Sequence, residues 1–431
     1  MSSEAPEPIE PPRRSRVAGA VRRVAIDVAP LRVSRDFRRI WFGLLVSEFG
    51  YQFTLVATFI QVFRLTGSPA AVGLIGLVGL VALGIGTVIG GAYVDVVDRR
   101  TMLIVAQVGY MVGAGTLLLG SIAGSPPVWL VYLAVAVIAG VSAIDSPVRS
   151  AMTPRLVGRE HLPSALALNQ VVWQVTALLG PAVAGLVIAK LGLSWAYGVD
   201  LVTYLAMLWA AILIARVPPE RTEGAPSGLA AVREGFAYLR GRPVLQSTFV
   251  VDIIAMVFGM PRALFAILAV TQFHRGEEIV GLLFAAPAVG ALVGAVTTGW
   301  VKHVRHQGLA VIWAVLLWGA GIAAFGLVGD HLWLALFFLA FAGAADVISA
   351  VFRNTVLQLS VPDALRGRLS QIHILVVTGG PRLGDLEAGL VASAFSPAIS
   401  VVSGGLLCIL GTGLLAWLVP SFRRYHAGES A

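Results

Sequence analysis

What most constrains this chain is a series of twelve apolar runs, each near the length needed to cross a lipid bilayer. A bilayer core takes roughly 20 apolar residues per helix, and such runs fall at 40–63, 70–95, 101–122, 127–149, 164–190, 193–215, 244–272, 278–301, 308–328, 332–353, 370–394 and 398–420. Lipid offers no partner to backbone N–H and C=O groups, so each run must satisfy its own, as a helix does. The expectation is an all-α integral membrane protein of 12 transmembrane helices. Composition agrees: only 13% of residues are charged, against about 25% in soluble domains. The single cysteine, Cys408, sits in an apolar run, which excludes a disulfide framework and a cysteine metal site.

The distribution of charge gives the orientation. Nine arginines between Arg13 and Arg39 precede the first run, too long a basic region for a cleaved signal peptide. The N-terminal segment, the even-to-odd loops and the C-terminus hold 26 of the 31 Lys and Arg residues. The opposite loops hold Arg64, Lys190 and Arg275, while Arg262 and Arg382 lie inside spans. The positive-inside rule then puts both termini in the cytoplasm of a multi-pass cell-membrane protein. The net charge of +8 is explained by topology and attraction to anionic headgroups, with no nucleic-acid partner implied.

Five regions follow: a basic segment at 1–39, a six-helix bundle at 40–215, a linker at 216–243, a second six-helix bundle at 244–420 and a tail at 421–431. Within the linker, PPERTEGAPSG is flexible in composition. After it, Leu229, Val232, Phe236 and Leu239 share one helical face, as in a helix lying on the membrane surface. The bundles repeat. A shift of 203 residues places Gly91 on Gly294, Arg99 on Lys302 and Leu156 on Leu359. Two pseudo-symmetric six-helix units with a site at their interface is the plan of a transporter of small molecules; a monomer is expected.

One loop carries more charge than its length needs: Gly91 to Arg100, GAYVDVVDRR. It resembles the loop between spans two and three of the major facilitator superfamily, with Gly91, Asp95, Arg99 and Arg100 matching. Val96 and Asp98 stand where that pattern has a basic residue and a glycine. In LLGPAVAG, Gly180, Pro181 and Gly185 resemble part of the superfamily's antiporter signature. Stretches such as DFRRIWFGLLVSEFG, LVGREHLPSALALNQ and GPRLGDLEAGLVA are similar to the branch containing enterobactin exporters and macrolide-efflux-like pumps. The resemblance implies export of a siderophore or an amphipathic drug, driven by a proton gradient with no other cofactor. Siderophore and multidrug substrates stay open at this point.

The loop reads as a latch closing the inner ends of the helices. In that reading Arg99 or Arg100 pairs with Asp145, Arg149 orients Asp145, and Asp95 faces the positive end of span eleven. A boundary pair facing headgroups is the plainer reading of Asp145 and Arg149. Thr298 and Val301 replace the two acids in the second half, so the latch is one-sided.

Ionisable groups inside spans cost at least ~2.5 kcal/mol on insertion scales and invite functional readings. Glu48 and Gln52 share a face of span one; Glu48 is the candidate for proton coupling, a neutral hydrogen-bonded carboxyl the alternative. Asp252, Arg262, Asp346, Arg382, Asp385 and Glu387 are the remaining candidates for a coupling or substrate cavity. Arg382 and Asp385, three apart, are expected to pair. Arg262 has no acid one turn away, so its partner comes from another helix or from an anionic substrate. An enzyme is not expected, because the seven histidines are scattered. A channel is not expected without a filter loop, nor ATP hydrolysis without a Walker A loop.

Overall fold

Each apolar run becomes a helix whose ends are set by local chemistry. The computed structural model describes residues 27–93, 96–218 and 229–426. Span one, Arg35–Thr66, begins at Ser34, whose hydroxyl accepts from the Phe37 amide at 3.1 Å. It ends at Gly67 with φ 61°, the left-handed turn that glycine makes without steric cost. Span two is Pro69–Tyr93 and span three Arg99–Ile122. Asp98 caps span three, accepting from the Thr101 amide at 3.2 Å. That gives the departure from the superfamily loop pattern a structural use.

Spans four and five form one helical run, Val128–Leu191, of 64 residues. At 1.5 Å per residue this is about 96 Å, roughly three bilayer cores, so it cannot be one crossing. It turns at Gly158, where φ is 73°, a value open to glycine and costly for other residues. Span six is Leu193–Leu213; spans eight, nine, ten and twelve are Glu277–Thr297, Gln307–Leu327, Leu332–Ser360 and Pro397–Leu418. Span eleven, Asp363–Ala394, has 32 residues, enough to cross, although its charges disguise it in hydropathy. With the long run counted twice these are the twelve expected crossings, and the described residues contain no strand.

Span seven is interrupted. Pro243–Phe258 gives way at Gly259–Pro261 to a short 3-10 turn, Arg262–Leu264, and then to Phe265–Thr271. Pro261 has no N–H to continue the ladder. The indole Nε1 of Trp318 donates to the Gly259 carbonyl at 2.9 Å, which makes a break tolerable inside a membrane. The break delivers Arg262 to the middle of the bundle.

Leu229–Leu239 forms the helix expected before span seven. Leu239 is buried with Leu245, Phe249, Leu357 and Leu369 of the second half, whereas Phe236 is half exposed. The two residues are three positions apart, and only Leu239 lies on the docked side. The side chains of Leu229 and Val232, and the segment 219–228, are outside the described set.

Spans one to six and seven to twelve form two bundles that meet at one end only. Call the end carrying the termini the basic face and the other the far face. At the far face Arg64, at the end of span one, pairs with Glu277, at the start of span eight, each at the helix end whose dipole favours its charge. The Ala70 amide donates to Ser393 Oγ at 2.8 Å. Beneath these, a Cβ on Gly73 of span two would lie 2.9 Å from Gly389 Cα of span eleven, so any larger residue would force the helices apart. Phe284 of span eight packs against Phe59 of span one and edge-on against Phe265, with centroids 5.8 and 5.0 Å away. Toward the basic face the contact ends: Leu80 of span two would still lie 3.2 Å from a Cβ on Gly379 of span eleven, whereas one turn further a Cβ on Gly84 would meet nothing within 4 Å. The bundles are therefore sealed at the far face and parted at the basic face.

Candidate functional site

Most of the intramembrane charges gather in three groups along the cleft between the bundles. In the first bundle, Arg149 of span four stands between two acids. Its Nη2 is 2.9 Å from Asp145 Oδ2 and 3.3 Å from Glu48 Oε1 of span one. Asp145 is 3% exposed and Glu48 is 21% exposed, so Glu48 is the acid with a face on the cleft. The Tyr110 hydroxyl donates to Asp145 Oδ2 at 3.5 Å. Gln52, one turn beyond Glu48, is buried.

The second bundle repeats this arrangement. Arg353 of span ten is 3.0 Å from Asp252 of span seven and 3.5 Å from Asp346, with His373 Nδ1 3.7 Å from Asp252. Glu48 and Asp252, and likewise Arg149 and Arg353, are 204 residues apart. That is one more than the offset aligning the loops, so at these positions the two halves are out of register with their loops by one residue. The burial is unequal: Asp252 is 1% and Arg353 4% exposed, leaving this cluster walled in where its counterpart meets the cleft.

The third group joins the bundles. Arg262 Nη2, set by the break in span seven, lies 3.0 Å from Asp385 Oδ2 of span eleven. This corrects the expected Arg382–Asp385 pair: helical spacing allowed it, but the guanidinium on the neighbouring helix takes the acid. Arg382 leans instead across Gly79 of span two, whose added Cβ would sit 3.2 Å from its Nε. Glu387 is half-buried further along span eleven.

The loop at Gly91 is built differently from the expected latch. Arg100 donates to the carbonyls of Ala211 at 3.2 Å and Ile212 at 2.5 Å, and Arg99 to that of Ala151 at 3.0 Å. Neither reaches Asp145, which Arg149 holds. The last carbonyls of a helix lack partners and carry the negative end of its dipole, so the arginines serve the end of span six and the helix of span four. Arg39 joins them, 2.8 Å from the Leu213 carbonyl. Asp95 lies outside the described residues, and its approach to span eleven with it.

The signature glycines sit where helices touch. A Cβ on Gly180 would come within 2.5 Å of Gln52 Cγ, bringing span five against the polar face of span one. A Cβ on Gly185 would lie 2.8 Å from Gly281 Cα of span eight, and Pro181 lies between them, its carbonyl turned to Gly281. Three groups escaped sequence reasoning. Arg353 was expected at a loop edge but is buried. Asp200 of span six is fully buried beside Thr54, Thr203 and Tyr204. Tyr110 and Tyr204 stack at 5.0 Å near the first cluster. An acid inside an apolar run was signal enough for Asp200; the tyrosines offered none.

Residues 25–427 match the family described as transmembrane secretion effector. The chain belongs to that family, within the major facilitator superfamily. Among curated proteins it is 27% identical to the enterobactin exporter EntS of Citrobacter koseri, over 403 residues covering 93% of this chain and 96% of that one. The EntS of Shigella boydii is likewise 27% identical over 404 residues, with the same coverage. Among solved structures, the nucleoside transporter NupG (D323A mutant) shares the fold at TM-score 0.70 and 9% identity, covering 90% of this chain and 98% of that one. A bacterial homologue of the iron transporter ferroportin does so at TM-score 0.66 and 16% identity, covering 90% and 98%. The chain is a multi-pass membrane protein of a transporter family, with one charged cluster partly exposed through Glu48 and a matching one walled into the second bundle.

Proposed function

We propose that the chain exports a siderophore of the enterobactin type by alternating access, exchanging it for protons. The observation that carries this is likeness to enterobactin exporters along nearly the whole chain, loops and spans together. The cleft supports it chemically. Two acids share Arg149 in the first bundle, and the one facing the cleft, Glu48, has a place to take and release a proton. On the orientation given by the basic loops, the basic face is cytoplasmic and the parted cleft is an inward-open form that loads from the cytoplasm.

The test is complementation. A bacterium lacking its own enterobactin exporter is given this chain, grown under iron limitation, and assayed by mass spectrometry for enterobactin in medium and cells. Restored secretion is expected. Secretion unchanged from the empty-vector strain, together with raised resistance to macrolides, would move the reading to drug efflux.

A further inference from the structure

Arg382 shares the field of one carboxylate with Arg262 and makes no ion pair of its own among the described residues. Around the middle of spans seven and eleven stand two guanidinium groups, Arg262 and Arg382, and one carboxylate close to them, Asp385. Arg262 holds Asp385 at 3.0 Å. Glu387 is five residues beyond Arg382, which on a helix is another side. Among the described residues no ion pair or hydrogen bond engages Arg382, and its Nη1 is buried without a partner. Arg382 is itself half-buried, and a buried donor such as this Nη1 is costly to leave without an acceptor.

Its placement indicates what that is. Gly79 of span two leaves room for the guanidinium, where a Cβ would press on Nε at 3.2 Å. Its electrostatic neighbours include Tyr51 of span one, across the interface in the other bundle. The same tyrosine has Glu48 among its neighbours. Arg382 thus reaches from the second bundle toward the first. Arginine presents a planar fork of donors that matches the two oxygens of an oxyanion.

We propose that Arg382 is the anion-binding group of this transporter. Its substrates carry an oxyanion, a carboxylate or an ionised phenol, which Arg382 seats toward the Tyr51 hydroxyl so that one ligand touches both bundles. This rests on the reading of the cleft as a substrate site, and it narrows the substrate to amphipathic acids.

The test is binding, separate from export. The full chain is placed in lipid nanodiscs, and its tryptophan fluorescence is titrated with salicylate and with salicylamide, the same molecule with the carboxylate replaced by a neutral amide. Wild type is expected to bind the acid roughly tenfold more tightly, and Arg382→Gln to bind both alike. Arg382→Lys keeps the charge but loses the fork, so it should lose several-fold in acid affinity with the amide unchanged; it decides the matter if Arg382→Gln does not fold. Equal affinities in wild type, no salicylate binding, or a preference that survives both substitutions would overturn the proposal. A chain that exports no siderophore in cells yet prefers the acid through Arg382 would sink the export reading and leave this one standing.

Discussion

At the scale of single residues, charge balance decides which acid can work. Arg149 stands between Glu48 and Asp145, so one negative charge is left over whenever both acids are ionised. Asp145 is sealed inside the bundle and has Tyr110 as a donor; Glu48 has the exposed face. If transport is exchanged for protons as proposed, Glu48 is the acid placed to receive one from the cleft. Glu48→Gln should bind substrate but lose pH-driven uptake in inverted vesicles, by about 100-fold if the proton step is obligatory. Uptake that still follows the pH gradient would remove Glu48 from the mechanism. The sequence placed all the members of this cluster in or beside spans, because a charge inside an apolar run is conspicuous. It could not pair them across helices. Spacing along one helix suggested Arg382 with Asp385, and only the break at Pro261 shows why Arg262 arrives first.

At the scale of elements, the basic loops act as helix caps. Span six ends at Leu213, and its final carbonyls are met by Arg39 and Arg100, while Asp36 accepts from the Ala215 amide at 3.2 Å. Spans one and three are thereby tied to span six by side chains that positive-inside counting treats as topology alone. The charge of the loop was legible in sequence; its partners were not, because any helix end presents carbonyls and none is marked by residue type. Arg100→Ala should leave two carbonyls of span six unanswered by protein and cost about 1–3 kcal/mol. This should appear as a lower unfolding temperature of the purified protein, with substrate affinity near wild type. An unchanged unfolding temperature with impaired gating would restore the loop to the latch role first expected of it.

At the scale of the whole molecule, the two bundles are joined by a far face that must separate if the chain works by alternating access. Its contacts suit a reversible seal: one ion pair between Arg64 and Glu277, one amide-to-hydroxyl bond between Ala70 and Ser393, and glycines meeting across spans two and eleven. Bistable packing of this kind has two discrete arrangements rather than a continuum. Ala70 and Ser393 are close enough to test it, since a hydrogen bond of 2.8 Å between backbone and side chain brings their Cα atoms near the range a disulfide can span. Ala70→Cys with Ser393→Cys, in a background where the buried Cys408 is replaced by serine, should form a bridge under mild oxidation. Bridged protein should still bind ligand from the basic face, because that entrance stays open, yet transport nothing. Reduction should restore transport to the level of the unbridged control. Full transport by protein that remains bridged would mean that the far face need not open, and the alternating-access reading would fall with it.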